Sequence, residues 1–124
     1  MKEFRTEQEE LAWFVGLVEG EGSFHISNGS PGFSLRMTDR DVMERTQLVL
    51  AAWGIPTNVR PYQHHQPKKD GTPRKLAWDI QICREVYLEH IIEMCIPYFS
   101  DKKYSDCNRL MDLINSKRKA RINK

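Results

Sequence analysis

One stretch decides the fold of this chain: Trp13-Phe14-Val15-Gly16-Leu17-Val18-Glu19-Gly20-Glu21-Gly22-Ser23-Phe24. Apolar residues at helical spacing predict a helix that ends at about Gly20. Gly16 and Gly20 lie on one side of this helix, which can therefore approach another backbone closely. The helix then ends at an acidic residue, Glu21, between two glycines. A carboxylate in that position has no neighbouring side chains to keep it away from a symmetry-related copy.

Two β-hairpins are predicted after this helix, each from two segments that alternate apolar and polar residues. The first hairpin turns at residues 28–32, which are rich in Asn, Gly, Ser and Pro. The second contains the loop Pro67–Pro73. The four strands are predicted at Ser23–Asn28, Phe33–Met37, Asn58–Gln66 and Arg74–Ile82.

Capping and stop signals predict four helices. Thr6 and Glu9 form a capping box before the first one, and the basic tail from Ser116 to Lys124 is expected to fray. The helices are predicted at about Glu7–Gly20, from the N-cap candidate Thr38 to Trp53, at Arg84–Cys95, and from about Asp101 onward. The inward face of the second helix is predicted to hold Val42, Arg45 (by its stem), Leu48, Val49 and Ala52.

The predicted order is αββαββα plus a terminal helix, which indicates one α+β domain over residues 1–124. Its antiparallel sheet has four strands with helices on one face. Strand alternation leaves the other face rich in donors, acceptors and cations, and these suit base-edge and phosphate contacts. Its predicted members are His25, Ser27, Ser34, Arg36, Asn58, Arg60, Tyr62, His64, Lys75, Asp79 and Gln81.

The net charge of +2 conceals a segregated charge pattern. Residues 1–22 carry two positive and six negative charges, whereas residues 102–124 carry eight positive and two negative. Such separation makes a polyanionic partner plausible, although an ordinary solvated surface would look similar. No apolar run approaches the roughly 20 residues of a membrane span, and no secretory signal is visible. We expect an intracellular, soluble protein with three buried thiols and no zinc site.

The quoted stretch resembles the LAGLIDADG motif in its form GxxEGEGSF, and the resemblance extends over most of the chain. In this family, two motif helices pack side by side, and the last acidic residue of each motif binds catalytic metal. The resemblance therefore implies that Glu21 is the metal ligand and a catalytic residue, with Mg²⁺ or Mn²⁺ as cofactor. Glu19 matches a structural position of the motif.

Two further catalytic candidates match the family less closely. Asp39 closes the second strand, where the family often places a polar residue that holds active-site water. A carboxylate at a helix N-terminus explains Asp39 equally well. Lys102, rather than Lys103, is matched to a family lysine near the nucleophilic water, where it could offset phosphate charge. Solvated lysines in the first turn of a helix are the alternative.

Only one motif occurs, and in this family a complete site then needs two chains. The resemblance implies a C2 homodimer that cuts a long, near-palindromic DNA duplex. The expected dimer interface is Trp13, Gly16, Leu17 and Gly20. Outside the sheet, additional DNA contacts are expected from Lys68, Lys69 and Arg74, the first two in a loop predicted to reach distal bases or phosphate. The basic run at residues 117–121 is expected to clamp the DNA backbone.

Two alternatives to a homing endonuclease stay open. One is a binding module: a maturase-like RNA-binding relative, or a degenerate endonuclease that binds DNA without cutting it. The other is a transcription regulator of similar fold. Metal-dependent cutting would separate both from the active enzyme. The sequence leaves the target, the host and the compartment undefined.

Overall fold

The computed structural model describes residues 3–62, 67–73 and 75–123. The element order confirms the predicted α+β domain of αββαββα order with a terminal helix. The elements are α1 (Glu7–Glu21), β1 (Gly22–Ser27), β2 (Ser30–Met37), α2 (Arg40–Ala52), β3 (Arg60–Tyr62), β4 (Ala77–Ile82), α3 (Glu85–Cys95), a 3₁₀ turn (Ile96–Tyr98) and α4 (Asp101–Ile122).

The sheet has four strands in the order β1-β2-β4-β3, and each neighbouring pair is antiparallel. All four helices pack against one side of it, where alternate strand residues are fully covered. Burial of such large apolar side chains is the main stabilising term of a domain this size. The sheet side of this core consists of Phe24, Phe33, Leu35, Ile80 and Ile82.

The start of α1 confirms the predicted capping residue. The Thr6 hydroxyl accepts the Glu9 N–H at 3.0 Å, and the Glu9 carboxylate accepts the N–H of Arg5 at 3.4 Å. These bonds satisfy backbone donors that the first helical turn leaves unpaired. Three acidic residues in the first turn also complement the positive end of the helix.

The predicted details of α2 are partly wrong. Its N-cap is Asp39, not Thr38: the Asp39 carboxylate accepts the N–H of Val42 at 3.2 Å. Leu48, predicted to face inward, is 67% exposed, and Ala52 is also exposed. The buried face of the helix consists of Met43, Thr46, Val49 and Leu50, so the helix packs with this side toward the core and leaves Leu48 outside.

The strands of the second hairpin are shorter than predicted. The third strand, expected from Asn58 to Gln66, is β3 at Arg60–Tyr62, and residues 63–66 lie outside the described residues. The fourth, expected from Arg74, begins at Ala77. The second strand, by contrast, starts earlier than predicted, at Ser30. The tight turn at Asn28 and Gly29, both with positive φ, leaves the residues that follow free to pair.

The C-terminal helix extends into the tail from Ser116 to Lys124, which was predicted to fray. Helix α4 continues to Ile122 because its basic end is held against α3 by ion pairs. Arg121 makes a bidentate bond with Glu85 at 3.0 and 2.6 Å, and Arg118 bonds to Glu89. Two cations of the expected DNA clamp are therefore engaged with helix α3.

The three cysteines are free, and only two of them are buried as predicted. Burial raises the pKa of the thiols of Cys95 and Cys107 to about 12, whereas Cys83 is exposed. In the part of the chain that the structure describes, every helix is too short or too polar to cross a membrane.

Candidate nucleic-acid interface and catalytic motif

Glu21 is the last residue of α1, and Gly22 is the first of β1. The Glu21 side chain is exposed, while Gly22 is buried against the core. A Cβ added to Gly22 would lie 2.8 Å from Val18 Cγ1 and 3.1 Å from Phe33 Cε2. Any side chain at Gly22 would therefore push the strand away from the helix. The glycine brings helix and sheet into contact and leaves the carboxylate at their shared surface.

The start of α4 is fixed to the end of α1 by two polar contacts. The Glu19 carboxylate accepts the backbone N–H of Ser100 at 2.5 Å and its hydroxyl at 3.0 Å. The ammonium of Lys103 donates to the carbonyl oxygen of Gly22 at 2.5 Å. Glu19 thus has the structural role that the motif implied, and a cation lies one residue from Glu21.

Lys103 makes the contact with Gly22, whereas the sequence matched Lys102 to the family lysine, and that catalytic role stays a prediction. Lys102 is exposed and Lys103 is half-buried. Helical phase carried the missing signal, because Lys103 precedes the buried Cys107 and Leu110 at intervals of four and three residues, on the same face of α4. Lys102 is one residue out of that phase and faces solvent.

Asp39 lies at the Glu21 end of the sheet. Gly22 is paired with Leu35, and Asp39 follows β2 at the end where β1 begins. Its carboxylate caps α2 by accepting the N–H of Val42. The structure therefore gives Asp39 a definite role in the fold, and a role toward active-site water stays a prediction.

The sheet side away from the helices, which we call the polar face, matches the predicted alternation. The cross-strand rows that point away from the core include Ser23, Ser34 and Gln81; Arg36, Asp79 and Arg60; and Tyr62 with Ala77. The side chains in these rows are exposed or half-buried, apart from Asp79 and Ala77. Residues predicted from alternation alone therefore meet on one surface.

Asp79 differs from the other predicted contacts because it is 9% exposed. One carboxylate oxygen accepts the side-chain amide N–H of Gln81 at 2.9 Å. The other lies 3.5 Å from Nε of Arg36. The Arg36 guanidinium carbon also lies 3.5 Å from the centre of the Tyr62 ring. Sequence patterning placed these residues on one face but gave no sign of this network.

The structure describes most of the remaining predicted contacts. The His25 ring covers Gly32, its cross-strand partner, whose added Cβ would lie 2.7 Å from His25 Cε1. His64 and Arg74 lie outside the described residues. The others are exposed residues of the sheet and of the segments beside it: Ser27, Asn58, Lys68, Lys69 and Lys75.

The register changes the expected position of the loop between β3 and β4. Tyr62 pairs with Ala77 and Met37 with Trp78, so this loop leaves the sheet at the end nearer Glu21. Residues 68–72 form a closed turn, in which Gly71 N–H donates to Lys68 O at 2.8 Å. The turn at Asn28 and Gly29 lies at the far end of the sheet. That Lys68 and Lys69 contact distal bases or phosphate stays a prediction.

Helix α1 has one open side within the protomer. A Cβ added to Gly16 or Gly20 would meet no atom within 4 Å. A groove of about 460 Å³ runs beside this side and includes Leu11, Val15 and Tyr98. Of the other predicted interface residues, Trp13 packs on Phe4 at 5.6 Å, and Leu17 packs partly against the core. The glycine side is thus uncovered, with apolar surface along both edges.

These features define an α+β domain with an open polar sheet face and a glycine-lined helix that ends in a carboxylate. The family model described as a LAGLIDADG-like domain matches residues 8–121. The chain therefore belongs to the LAGLIDADG family, as its motif predicted. No curated relative matches the sequence.

Solved homing endonucleases share the fold. I-TnaI is 21% identical with a TM-score of 0.60, and the match covers 87% of this chain and 74% of that one. The archaeal intron-encoded enzyme I-Vdi141I, solved with DNA, is 18% identical with a TM-score of 0.57, over 92% and 85% of the two chains. I-CeuI, a group I intron-encoded enzyme solved with DNA, is 16% identical with a TM-score of 0.65, over 92% and 57%.

Proposed function

We propose that this chain is a homing endonuclease that cuts both strands of a long, near-palindromic DNA duplex as a homodimer. The observation that carries the proposal is the exposed Glu21 carboxylate at the end of α1, beside the polar face and next to the open helix side. DNA on the polar face and a second copy on the open side would both reach this carboxylate. Family membership supports the same activity.

The donor chemistry of Glu21 fits a hard divalent cation. Mg²⁺ prefers oxygen ligands and commonly binds through one or two carboxylates together with substrate phosphate and water. Within the described residues, no group of three or more His, Cys, Asp or Glu could hold a metal. We assign the complete site to Glu21 from two copies. When bound there, Mg²⁺ or Mn²⁺ would supply positive charge against the phosphate and favour ionisation of water.

The neighbouring residues have separate tasks in this proposal. Lys103 holds the Gly22 carbonyl and adds positive charge beside the carboxylate, where charge develops on phosphate oxygens. Glu19 holds the α4 N-terminus and thereby positions Lys103. Because Lys103 occupies this position, we assign the active-site lysine to it in place of Lys102.

Both copies would pack through α1. Gly16 and Gly20 allow close approach of the partner backbone, while Trp13 and Leu17 border the contact on one edge. The groove with Leu11 and Tyr98 borders it on the other edge. A two-fold axis along this contact brings the two polar faces into one surface, so the half-sites of the DNA should be related by the same symmetry.

The test joins the two genomic sequences that flank the element carrying this gene and incubates this duplex with the protein and Mg²⁺. Staggered cutting near the junction, abolished by EDTA and by Glu21→Gln, is the expected result. Glu7→Gln, which neutralises an exposed carboxylate at the other end of α1, should cut normally. Binding without cutting would instead support a degenerate endonuclease or a regulator, and preference for intron RNA would support a maturase-like protein.

Two matched substitutions test which lysine acts in the active site. Lys103→Met should reduce the cleavage rate by about 10²- to 10³-fold, the typical effect of removing one group that stabilises transition-state charge. Lys102→Met should change the rate little. Equal loss in both variants, or loss in Lys102→Met alone, would overturn the assignment to Lys103.

A further inference from the structure

The polar face contains one buried carboxylate, Asp79, with two side chains attached to it. Asp79 lies on β4, paired with Arg36 of β2 on one side and with Arg60 of β3 on the other. A carboxylate with 9% exposure is costly to desolvate unless donors surround it. Gln81 donates its amide N–H to Oδ2 at 2.9 Å, and Arg36 forms an ion pair with Oδ1, from which its Nε lies 3.5 Å. Within the described residues, Oδ1 has no hydrogen-bond partner, so the positive charge of Arg36 is what compensates it.

We propose that Asp79 is a positioning residue, and that the Arg36 it orients recognises a guanine in the inner part of each half-site. The proposal rests on the proposed function and adds to it a specificity determinant. A guanidinium has five N–H donors in a planar fork. Nε is the Arg36 nitrogen paired with Asp79, which leaves the two terminal nitrogens available to another acceptor. Two parallel donors of this kind match the O6 and N7 acceptors of guanine in the major groove.

The Tyr62 ring supports the orientation of Arg36 independently. Its centre lies 3.5 Å from the guanidinium carbon, so the ring covers one side of the fork. A planar cation stacked on an aromatic ring and held at one edge by a carboxylate has few other rotamers available. The side chain of Arg36 is still 37% exposed. It is therefore both restrained and accessible, which base recognition requires.

Asp79 also sets the direction of the Gln81 amide. An ionised carboxylate only accepts hydrogen bonds, so the NH₂ group of Gln81 must face it. The carbonyl oxygen of Gln81 is left as an acceptor for an amino group of cytosine or adenine. One buried carboxylate thereby fixes a donor fork and a separate acceptor on the same surface.

The inner location of the guanine follows from strand register. Arg36 follows Leu35, whose cross-strand partner is Gly22, the residue after Glu21. The turn at Asn28 and Gly29 lies at the opposite end of the hairpin. If Glu21 acts at the scissile phosphates, Arg36 must contact base pairs that are closer to these phosphates than the base pairs reached by the turn.

The experiment selects binding sites from a randomised duplex library with the full chain, without divalent metal, and compares base preferences among variants. We expect the wild type to select a guanine at one inner position of each half-site, about 5- to 150-fold over other bases. Arg36→Lys should reduce this preference at that position alone, whereas Asp79→Asn should reduce it there and also weaken the preference at the position that Gln81 contacts. At the guanine position, the double variant should lose no more than either single variant, because both act through the same contact.

Arg40→Lys is the matched control. Arg40 also lies over an aromatic ring, Trp78, at 4.5 Å and bonds to a carboxylate, Glu44, at 2.9 Å. It belongs to helix α2, on the other side of the sheet. Its substitution should leave every base preference unchanged, although the type of lost contacts is the same.

Several outcomes would overturn the inference. An unchanged guanine preference in Arg36→Lys would show that Arg36 does not contact this base. A normal preference in Asp79→Asn would show that Asp79 does not position Arg36. In both cases, DNA binding by the wild type would leave the proposed function intact. A purely structural role for Asp79 would weaken all positions uniformly. If Asp79→Asn does not fold, Tyr62→Leu tests the restraint on Arg36. Failure of the wild type to bind any duplex would overturn the proposed function and this inference together.

Discussion

The two kinds of glycine in the motif allow a prediction that separates the fold of the protomer from its association. Gly16 lies in the interior of α1, and its added Cβ would meet no atom within 4 Å. Gly22 lies at the start of β1, and its added Cβ would lie 2.8 Å from Val18 Cγ1. The same change, glycine to alanine, should therefore have opposite effects at the two positions.

Gly16→Ala should stabilise the protomer. Alanine in a helix interior is favoured over glycine by about 0.5–1 kcal/mol, mainly because the unfolded chain has less freedom to lose. In a dimer that packs through this helix side, however, each protomer adds one methyl group to a close contact. Overpacking of this kind costs about 1–3 kcal/mol, which corresponds to a dimer dissociation constant about 5- to 150-fold higher.

Gly22→Ala should destabilise the protomer itself. The methyl group cannot be accommodated by a flexible side chain, since backbone Cα of Val18 and ring carbon Cε2 of Phe33 both lie at 3.1 Å. Separation of helix and strand should cost about 1–3 kcal/mol. Any loss of dimer in this variant would follow from loss of fold.

The assay combines two measurements. Urea unfolding is measured at a protein concentration below the dimer dissociation constant, and sedimentation equilibrium is measured over a range of protein concentrations. Ser116→Ala is the control: it raises the helix propensity of an exposed position in α4 and should leave association unchanged. Wild-type dimer affinity in Gly16→Ala would refute the assignment of this helix side to the interface. Destabilisation of its protomer would show that the side is not open.

Three other predictions concern single side chains. Glu21→Gln should raise the free energy of unfolding of the protomer by about 0.3–1 kcal/mol at low salt, measured by urea titration, while Mg²⁺-dependent cutting is lost. Of the three thiols, only Cys83 should react with Ellman's reagent in the native protein at pH 8, and all three after unfolding, because burial raises the pKa of the other two to about 12. Arg121 lowers the pKa of the Glu85 carboxyl, so Arg121→Gln should slightly destabilise the protein at pH 7. Since the folded-state pKa is depressed, this difference is fully present above the unfolded pKa of about 4.3 and should disappear in urea titrations as the pH falls through the folded value.

Local chemistry made most of the fold predictable. The Thr6 cap, the alternation in each hairpin and the stop signals depend on residues adjacent in the chain, and the observed element order follows from them. The polar face was predictable for the same reason, since alternation alone decides which side of a strand a residue occupies. The face of α2 was not, because this helix has apolar residues on two adjacent sides, and tertiary packing buries Met43 and Leu50 rather than Leu48.

Contacts between distant segments account for what the sequence concealed. The bonds from Ser100 to Glu19 and from Lys103 to Gly22 both span 81 residues. Two adjacent lysines have the same composition and charge, and only the phase of α4 against the core distinguishes them. The stabilised end of α4 has the same origin: its arginines resemble a DNA clamp in sequence but bond to the carboxylates of α3. Motif resemblance could assign roles but not these partners.

The position of the two motif carboxylates at the C-terminal end of α1 explains why this end suits a cation. The helix dipole disfavours negative charge there, and the last turn of α1 contains no basic residue. Glu19 is compensated by the two donors of Ser100. Glu21 is exposed instead, with the lysine nearest the motif directed to the Gly22 carbonyl. In the proposed dimer, a cation bound at Glu21 would offset the negative charge that this helix end disfavours. The cost of placing Glu21 there is therefore best understood as a condition for function rather than for folding.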